Sequence, residues 1–167
     1  VSGNVIRNHE GTETGFFEGG LYLSVGAQAD VSNNLFDNNA YAMGGNEPNF
    51  QTVSGNTFQN SAKAHIYIDD QFTTDLSAIA NTAGNAYDTS SFLGFAFDSD
   101  PLDAANPQTL IGTDGDDRLM GGEGNDDIQG GDGIDVAVIQ DGNNFQPVNP
   151  GDYDLSALTA DANGVIS

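Results

Sequence analysis

Three aspartates recur at nine-residue intervals, Asp117, Asp126 and Asp135, each following a cluster of glycines. The segments GTDGDDRLM (112–120), GGEGNDDIQ (121–129) and GGDGIDVAV (130–138) share the pattern G-G-x-G-x-D-x-U-x, with U a large apolar residue. They depart from it only at Thr113 and Ala137. Glycine at the first, second and fourth positions opens backbone conformations closed to other residues and lets carbonyl oxygens converge. The aspartate adds a charged oxygen to each turn. Calcium takes about six to eight such oxygens in a tolerant geometry, so coordination is the chemistry this spacing supports. Leu119 and Ile128 fall at the eighth position and would point inward as a thin core.

The charge of the chain agrees. Of 167 residues, 25 are Asp or Glu and three are Lys or Arg, a formal net charge of −22. Such a balance argues against nucleic acid and anionic membrane surfaces, which would be repelled, and for a cation. No apolar run is long enough to insert in a membrane. Without cysteine there is neither a disulfide framework nor a thiolate metal site. Nine carboxylates lie between Asp114 and Asp141. Without metal they should repel one another and leave the segment a flexible acidic linker, which makes calcium a folding ligand.

The elements that would carry such turns are visible upstream. VSGNVIRN from Val1, VSNNLFDN from Val31, VSGNTFQN from Val53 and TAGNAYDT from Thr82 align, with shared asparagines Asn4, Asn34, Asn56 and Asn85. Strands such as GGLYLSV (19–25) and AHIYID (64–69) follow, with Leu21 and Leu23, or Ile66 and Ile68, on one face. One unit cannot bury that face alone, whereas stacked parallel coils can. Asparagines at one corner of successive coils would then stand ~4.8 Å apart and bond as a ladder. Unrelated Asn turns in a β-sandwich would not keep the flanking valines and strands in register.

The expected fold is therefore all-β: a right-handed parallel β-helix followed by a short calcium-binding parallel β-roll. Residues 1–104 read as the C-terminal coils of the helix, 105–141 as the roll and 142–167 as a tail of unassigned structure. DQFTTDLSAIAN (70–81) breaks the pattern as a loop or a helical turn, SFLGFAF (91–97) reads as a strand, and DSDPLDAANP (98–107) as a linker. The chain begins inside a repeat and reads as the C-terminal portion of something longer.

The nonapeptides resemble the calcium-binding repeats of RTX (hemolysin-type) proteins, and the asparagine-cornered coils resemble the β-helix of polysaccharide lyases, hydrolases and mannuronan C5-epimerases. The first resemblance implies two nonapeptides per coil, so that an ion lies between the first and third units, Gly112, Asp114 and Asp117 with Gly130, Asp132 and Asp135. Asp114 and Asp132 would ligate through their carbonyls. Gly121, Glu123 and Asp126 of the middle unit need a neighbour on their own side, and 103–111 keeps Leu110 there but lacks the glycines. The resemblance also implies an extracellular or cell-surface protein exported by type I secretion.

The second resemblance implies activity on an extracellular polysaccharide. Lys63, His65 and Tyr67, with Asp69, alternate along one strand and would project from its outer face as neutralising cation, base and acid for proton abstraction beside a uronate carboxylate. The same residues also fit an ordinary solvent-facing strand. Tyr22, Tyr41 and Tyr67 are expected to stack on that face as a sugar platform or as a ladder that stabilises the sheet. Two functions remain: a calcium-dependent polysaccharide-modifying enzyme, or a non-catalytic surface, S-layer or adhesin-type protein stabilised by calcium.

Overall fold

Short strands separated by left-handed corners wind the chain into parallel coils. The computed structural model describes residues 1–9, 19–24, 26–46, 50–70, 73–98, 107–122 and 126–138. After β1 (Val5–Arg7) and β2 (Gly19–Leu23), one coil comprises β3 (Ala29–Ser32), β4 (Leu35–Asp37) and β5 (Tyr41–Gly45). The next comprises β6 (Phe50–Ser54), β7 (Thr57–Gln59) and β8 (Ala64–Asp70). Successive coils pair parallel: β3 with β6, β1 with β4 and β4 with β7, β2 with β5 and β5 with β8.

The repeat dictates the corners. The residue before each shared asparagine has positive φ: Gly3 (68°), Asn33 (54°), Gly55 (65°) and Gly84 (82°). Four residues after the shared asparagine, Asn8, Asn38 and Asn60 turn the chain again in the same left-handed region. Glycine, and asparagine after it, visits that region at least cost.

The shared asparagines form the expected ladder. The Asn34 carboxamide oxygen accepts from the amide and Nδ2 of Asn4 (3.0 and 3.1 Å), that of Asn56 from Asn34 (3.0 and 3.0 Å), and that of Asn85 from Asn56 (3.0 and 3.1 Å). Each Nδ2 donates in addition to a carbonyl of the coil before: Asn34 to Val1, Asn56 to Val31 and Asn85 to Val53. Beneath the ladder Phe36 and Phe58 stack at 5.0 Å, and Phe58 and Tyr87 at 4.8 Å. Val31, Val53, Met43, Ile66 and Ile68 complete a dry core, where apolar burial contributes roughly 25 cal/mol per Å² removed from water.

The broken pattern at 70–81 proves to be a strand and a helical turn. β9 (Thr73–Asp75) leads into α1 (Leu76–Ala80), whose first turn is capped by the Asp75 carboxylate accepting from the Ala78 amide at 3.1 Å. Leu76, Ile79 and Ala80 are buried in the core. β10 (Ala86–Tyr87) then continues the sheet of β7, and β11 (Phe92–Asp98) that of β8.

From here the coils shorten. β12 (Thr109–Ile111), β13 (Asp117–Met120), β14 (Asp127–Gln129) and β15 (Val136–Val138) alternate between two sheets, one ordered β15-β13-β11-β8-β5-β2 and the other β14-β12-β9. Hydrogen bonds between neighbouring coils link residues 22 to 33 apart in the asparagine region and 18 apart at the C-terminal end. The fold is thus all-β, a parallel β-helix that passes into a two-sided β-roll. One six-stranded sheet runs through both parts, because β11 pairs with β13 from Gly94↔Asp117 to Phe97↔Met120. Residues 99–106, where the linker and the junction near 105 are expected, and 139–167, which include the expected tail, lie outside the described residues.

Candidate metal centre

The glycine turns sit where β12 gives way to β13 and β14 to β15, and they stack. β13 pairs with β15, Leu119↔Ala137, and β12 with β14, Leu110↔Ile128. The first and third nonapeptides are therefore neighbours on one side of the roll, as the resemblance to RTX repeats implies. The middle one neighbours the stretch around Leu110 on the other side. Leu119 and Leu110 fill the space between, both buried.

Backbones approach so closely here that side chains are excluded. A Cβ on Gly112 would overlap the carbonyl oxygen of Gly130, and one on Gly131 would overlap the carbonyl oxygen of Thr113. Gly131 also has φ of 99°, which other residues adopt only with strain. Carbonyl oxygens of adjacent coils are thereby gathered beside the carboxylates.

Two of the three position-six aspartates, Asp126 and Asp135, bridge two coils. Asp126 Oδ1 accepts from the Gln108 amide at 2.9 Å and Asp135 Oδ1 from the Asp117 amide at 3.0 Å, both 18 residues back. The second oxygen of each lies against the glycine that opens its own turn, Gly121 or Gly130. Asp117 is different. Its Oδ2 accepts from the amide and hydroxyl of Thr113 (2.5 and 2.8 Å), while its Oδ1 is buried over Gly94 without a well-formed hydrogen bond.

Burial pushes the Asp117 carboxyl up to about 6, against the pull of the Thr113 amide and hydroxyl and aided by the charge of Asp135. Asp126 and Asp135 are likewise raised, chiefly by burial. Desolvated carboxylates packed among carbonyls disfavour their own ionised form unless a cation joins them. Among the described residues no three carboxylate or histidine side chains converge on one point. Any ion held here must therefore take main-chain oxygens as well. The Asp117 carboxylate and the glycine-exposed carbonyls are hard oxygen donors, and they fit calcium.

Of the other expected ligands, Asp114 and Asp132 have exposed side chains, and Glu123 lies outside the described residues. Two contributors went unnoticed in the sequence. Thr113, the one departure from the glycine pattern in its turn, holds Asp117. Asp116 accepts from the Ile134 amide at 2.8 Å across the coils. The charge of Asp116 in the fifth position was the only available signal, and nothing in its type separates it from solvated neighbours.

The strand carrying Lys63, His65 and Tyr67 departs from expectation. His65 does not project from the open face: it is fully buried. Its Nδ1 is 2.8 Å from the Ser61 hydroxyl and its Nε2 is 3.1 Å from the Asp88 carbonyl and 3.2 Å from the Asp88 carboxylate, with the rings of Phe58 and Tyr87 alongside. Burial lowers its pKa, against the opposing pull of Asp88. Enclosed and bonded at both nitrogens, it is out of position as a base for an external substrate. Lys63 is exposed over the Tyr41 ring (5.3 Å), and Tyr67 packs on Tyr41 (4.9 Å) and Phe95 (5.5 Å). Burial, chiefly, raises the Tyr67 phenol above its ordinary range. Tyr22 does not take its expected place beside Tyr41. It aligns with Gly44, which aligns in turn with Tyr67, and burial and Asp69 raise its pKa.

Comparison with known proteins agrees with the geometry. Residues 107–137 match the RTX calcium-binding nonapeptide repeat in four copies. Three complete units are visible in the sequence, and the match also takes in the strand of Leu110, which the structure stacks on the middle unit. No curated protein and no solved structure matches the chain. These coils thus carry calcium-binding nonapeptide repeats of the RTX type, and calcium is the metal they take. Among the described residues no helix is long and apolar enough to cross a membrane.

Proposed function

We propose that the chain is a calcium-locked solenoid of a protein that works outside the cell, reached by type I secretion. At the low calcium of the cytosol the acidic turns would repel one another and stay unfolded, fit for export. Outside, calcium would fold them against the exposed edge of β11 and close the stack. The observation that carries this reading is the buried Asp117 carboxylate, whose Oδ2 lies where Gly112 closely approaches the carbonyl oxygen of Gly130, in a sheet continuous with the β-helix. One ion would lie between the first and third turns, held by Gly112, Asp114 and Asp117 with Gly130, Asp132 and Asp135, the second and fifth of these through carbonyls. A second would use Gly121, Asp126 and Glu123 facing the strand of Leu110. When bound, calcium supplies positive charge and coordination in place of the missing hydrogen bonds.

The test is chelation. Circular dichroism should lose strand signal on adding a chelator, and limited proteolysis should open sites within 105–145 that calcium closes. Calcium at 100 times its Kd should restore about 2.7 kcal/mol. Identical digests with and without chelator would overturn the proposal.

In this reading the described coils are scaffold, as in a surface or adhesin-type protein. Polysaccharide modification of the epimerase or lyase kind is a second reading, favoured by Lys63 and Tyr67 lying on one aromatic face. Unsaturated products absorbing in the ultraviolet on incubation with alginate or pectate, lost in Lys63→Ala, would support it, and their absence favours the scaffold.

A further inference from the structure

The outer face of the six-stranded sheet carries a groove of about 400 Å³ lined by Tyr41, Ala62, Lys63, Phe92, Phe95 and Arg118. That size lies within the range of small-molecule sites, roughly 300–1,000 Å³. Its floor is aromatic, with Tyr41 and Phe95 at 6.3 Å and Tyr67 packed against both. Its sides are cationic: the Lys63 ammonium stands 5.3 Å over the Tyr41 ring, and the Arg118 guanidinium carbon 5.3 Å over that of Phe95. The whole chain has three Lys and Arg against 25 acidic residues, and two of the three meet at this groove. Arg118 Nε is buried without a hydrogen-bond partner, a donor whose desolvation an anion would offset.

The two cations come from different parts of the fold. Lys63 precedes β8 of the β-helix. Arg118 follows Asp117 in the first nonapeptide and reaches the groove because β13 pairs with β11, Phe95↔Arg118. Whatever folds the turn at 112–117 therefore also delivers the second cation.

We propose that this groove binds a small carboxylate carried on a ring with a flat apolar face, and that calcium gates the binding. The ring would stack on Tyr41 and Phe95 while the carboxylate meets Lys63 and Arg118. A net charge of −22 repels polyanions at a distance, so the groove suits a singly charged acid that feels the two cations only at contact. Acidic sugars and aromatic acids share this chemistry. The gating half rests on the calcium reading above, and it is reciprocal: the acid must raise calcium affinity by the factor by which calcium raises affinity for the acid.

Calorimetric titration of the full chain with D-glucuronate, benzoate and D-glucose, at saturating calcium and again in chelator, tests both halves. At least one acid should bind in calcium, with glucose at least about tenfold weaker; which acid binds identifies the source. Lys63→Gln, at an exposed position, and Arg118→Gln should each weaken it about tenfold. No binding by either acid in calcium, glucose binding as well as the acids, or an unchanged Lys63→Gln would overturn the groove. If dichroism shows the roll unfolding in chelator while acid affinity holds, gating alone fails. If dichroism does not change in chelator, the calcium reading fails, and Lys63→Gln still decides the groove.

Discussion

The asparagine-held coils and the aspartate-held coils solve one problem with side chains that differ by a single group. In the β-helix, the carboxamide oxygen of Asn34, Asn56 or Asn85 accepts the backbone amide of the shared asparagine one coil earlier. In the roll, the Oδ1 of Asp126 or Asp135 accepts the backbone amide 18 residues earlier in the same way. The other arm separates them. In the ladder it is an NH₂ that donates to the carbonyl of Val1, Val31 or Val53. In the roll it is a second oxygen, which lies against the glycine that opens its own turn and can donate nothing. The amide ladder completes itself. The carboxylate version has no donor on that arm, and in the proposed reading a cation supplies what the NH₂ supplies upstream. On that reading one end of the solenoid is stable by its own bonding and the other is conditional on calcium.

Removing one rung of the amide ladder should give the largest effect of any single substitution. Asn56 is fully buried and makes four hydrogen bonds through its carboxamide. Asn56→Ala would strand the Asn34 amide and the Val31 carbonyl without partners, at about 1–3 kcal/mol for each buried group left unsatisfied. Urea denaturation should register a loss of roughly 3–5 kcal/mol, equal in calcium and in chelator. A loss that depends on calcium would mean the two regions do not hold themselves independently.

Exchanging the two devices should sharpen the contrast further. Asp135→Asn keeps the oxygen that accepts from the Asp117 amide and replaces the charged arm with NH₂. Calcium affinity should drop about tenfold or more, roughly 1.4 kcal/mol. In chelator the sign should reverse: the variant loses a desolvated charge and the repulsion it exerts on Asp117, so its roll should be less unstable than the native one. Thermal melts with and without calcium would show the curves crossing. If Asp135→Asn is the weaker of the two under both conditions, the second oxygen is not standing in for an amide.

Much of this was legible because repetition marks positions that single residues do not. Asn4, Asn34, Asn56 and Asn85, with a glycine or asparagine ahead of each, announce both the corner and the ladder. The nine-residue glycine spacing announces the turns, and the resemblance to RTX repeats adds the pairing of first and third units. The shared sheet was hidden, since β11, which joins its two parts, belongs to neither repeat, and β9 and α1 carry no periodic signal. His65 was misread for a more general reason. Alternation along β8 says which side of the strand a residue occupies but not what lies over that side. Ser61 at the preceding corner and Asp88 from the next coil close over the imidazole, and only the register of β7 with β10 brings Asp88 there.

That enclosure gives the asparagine-held half a modest pH dependence of its own. Burial lowers the His65 pKa in the fold, whereas an unfolded histidine titrates near 6.5. The unfolded chain therefore binds the proton more readily. The stabilising contribution of the neutral ring is complete above about 6.5 and declines as pH falls from there through the lowered folded value, at no more than about 1.4 kcal/mol per pH unit. Asp88, whose own pKa is lowered in part by hydrogen bonds from Ser90 and Asn60, faces Nε2 and limits the effect by favouring the imidazolium. The measurement is the difference in urea stability between the native chain and His65→Gln at saturating calcium, from pH 7.5 down to 5. That difference should shrink as pH falls, because the native chain alone carries the histidine penalty. A difference that grows would mean Asp88 outweighs burial and that the pair is an ion pair in the folded coil.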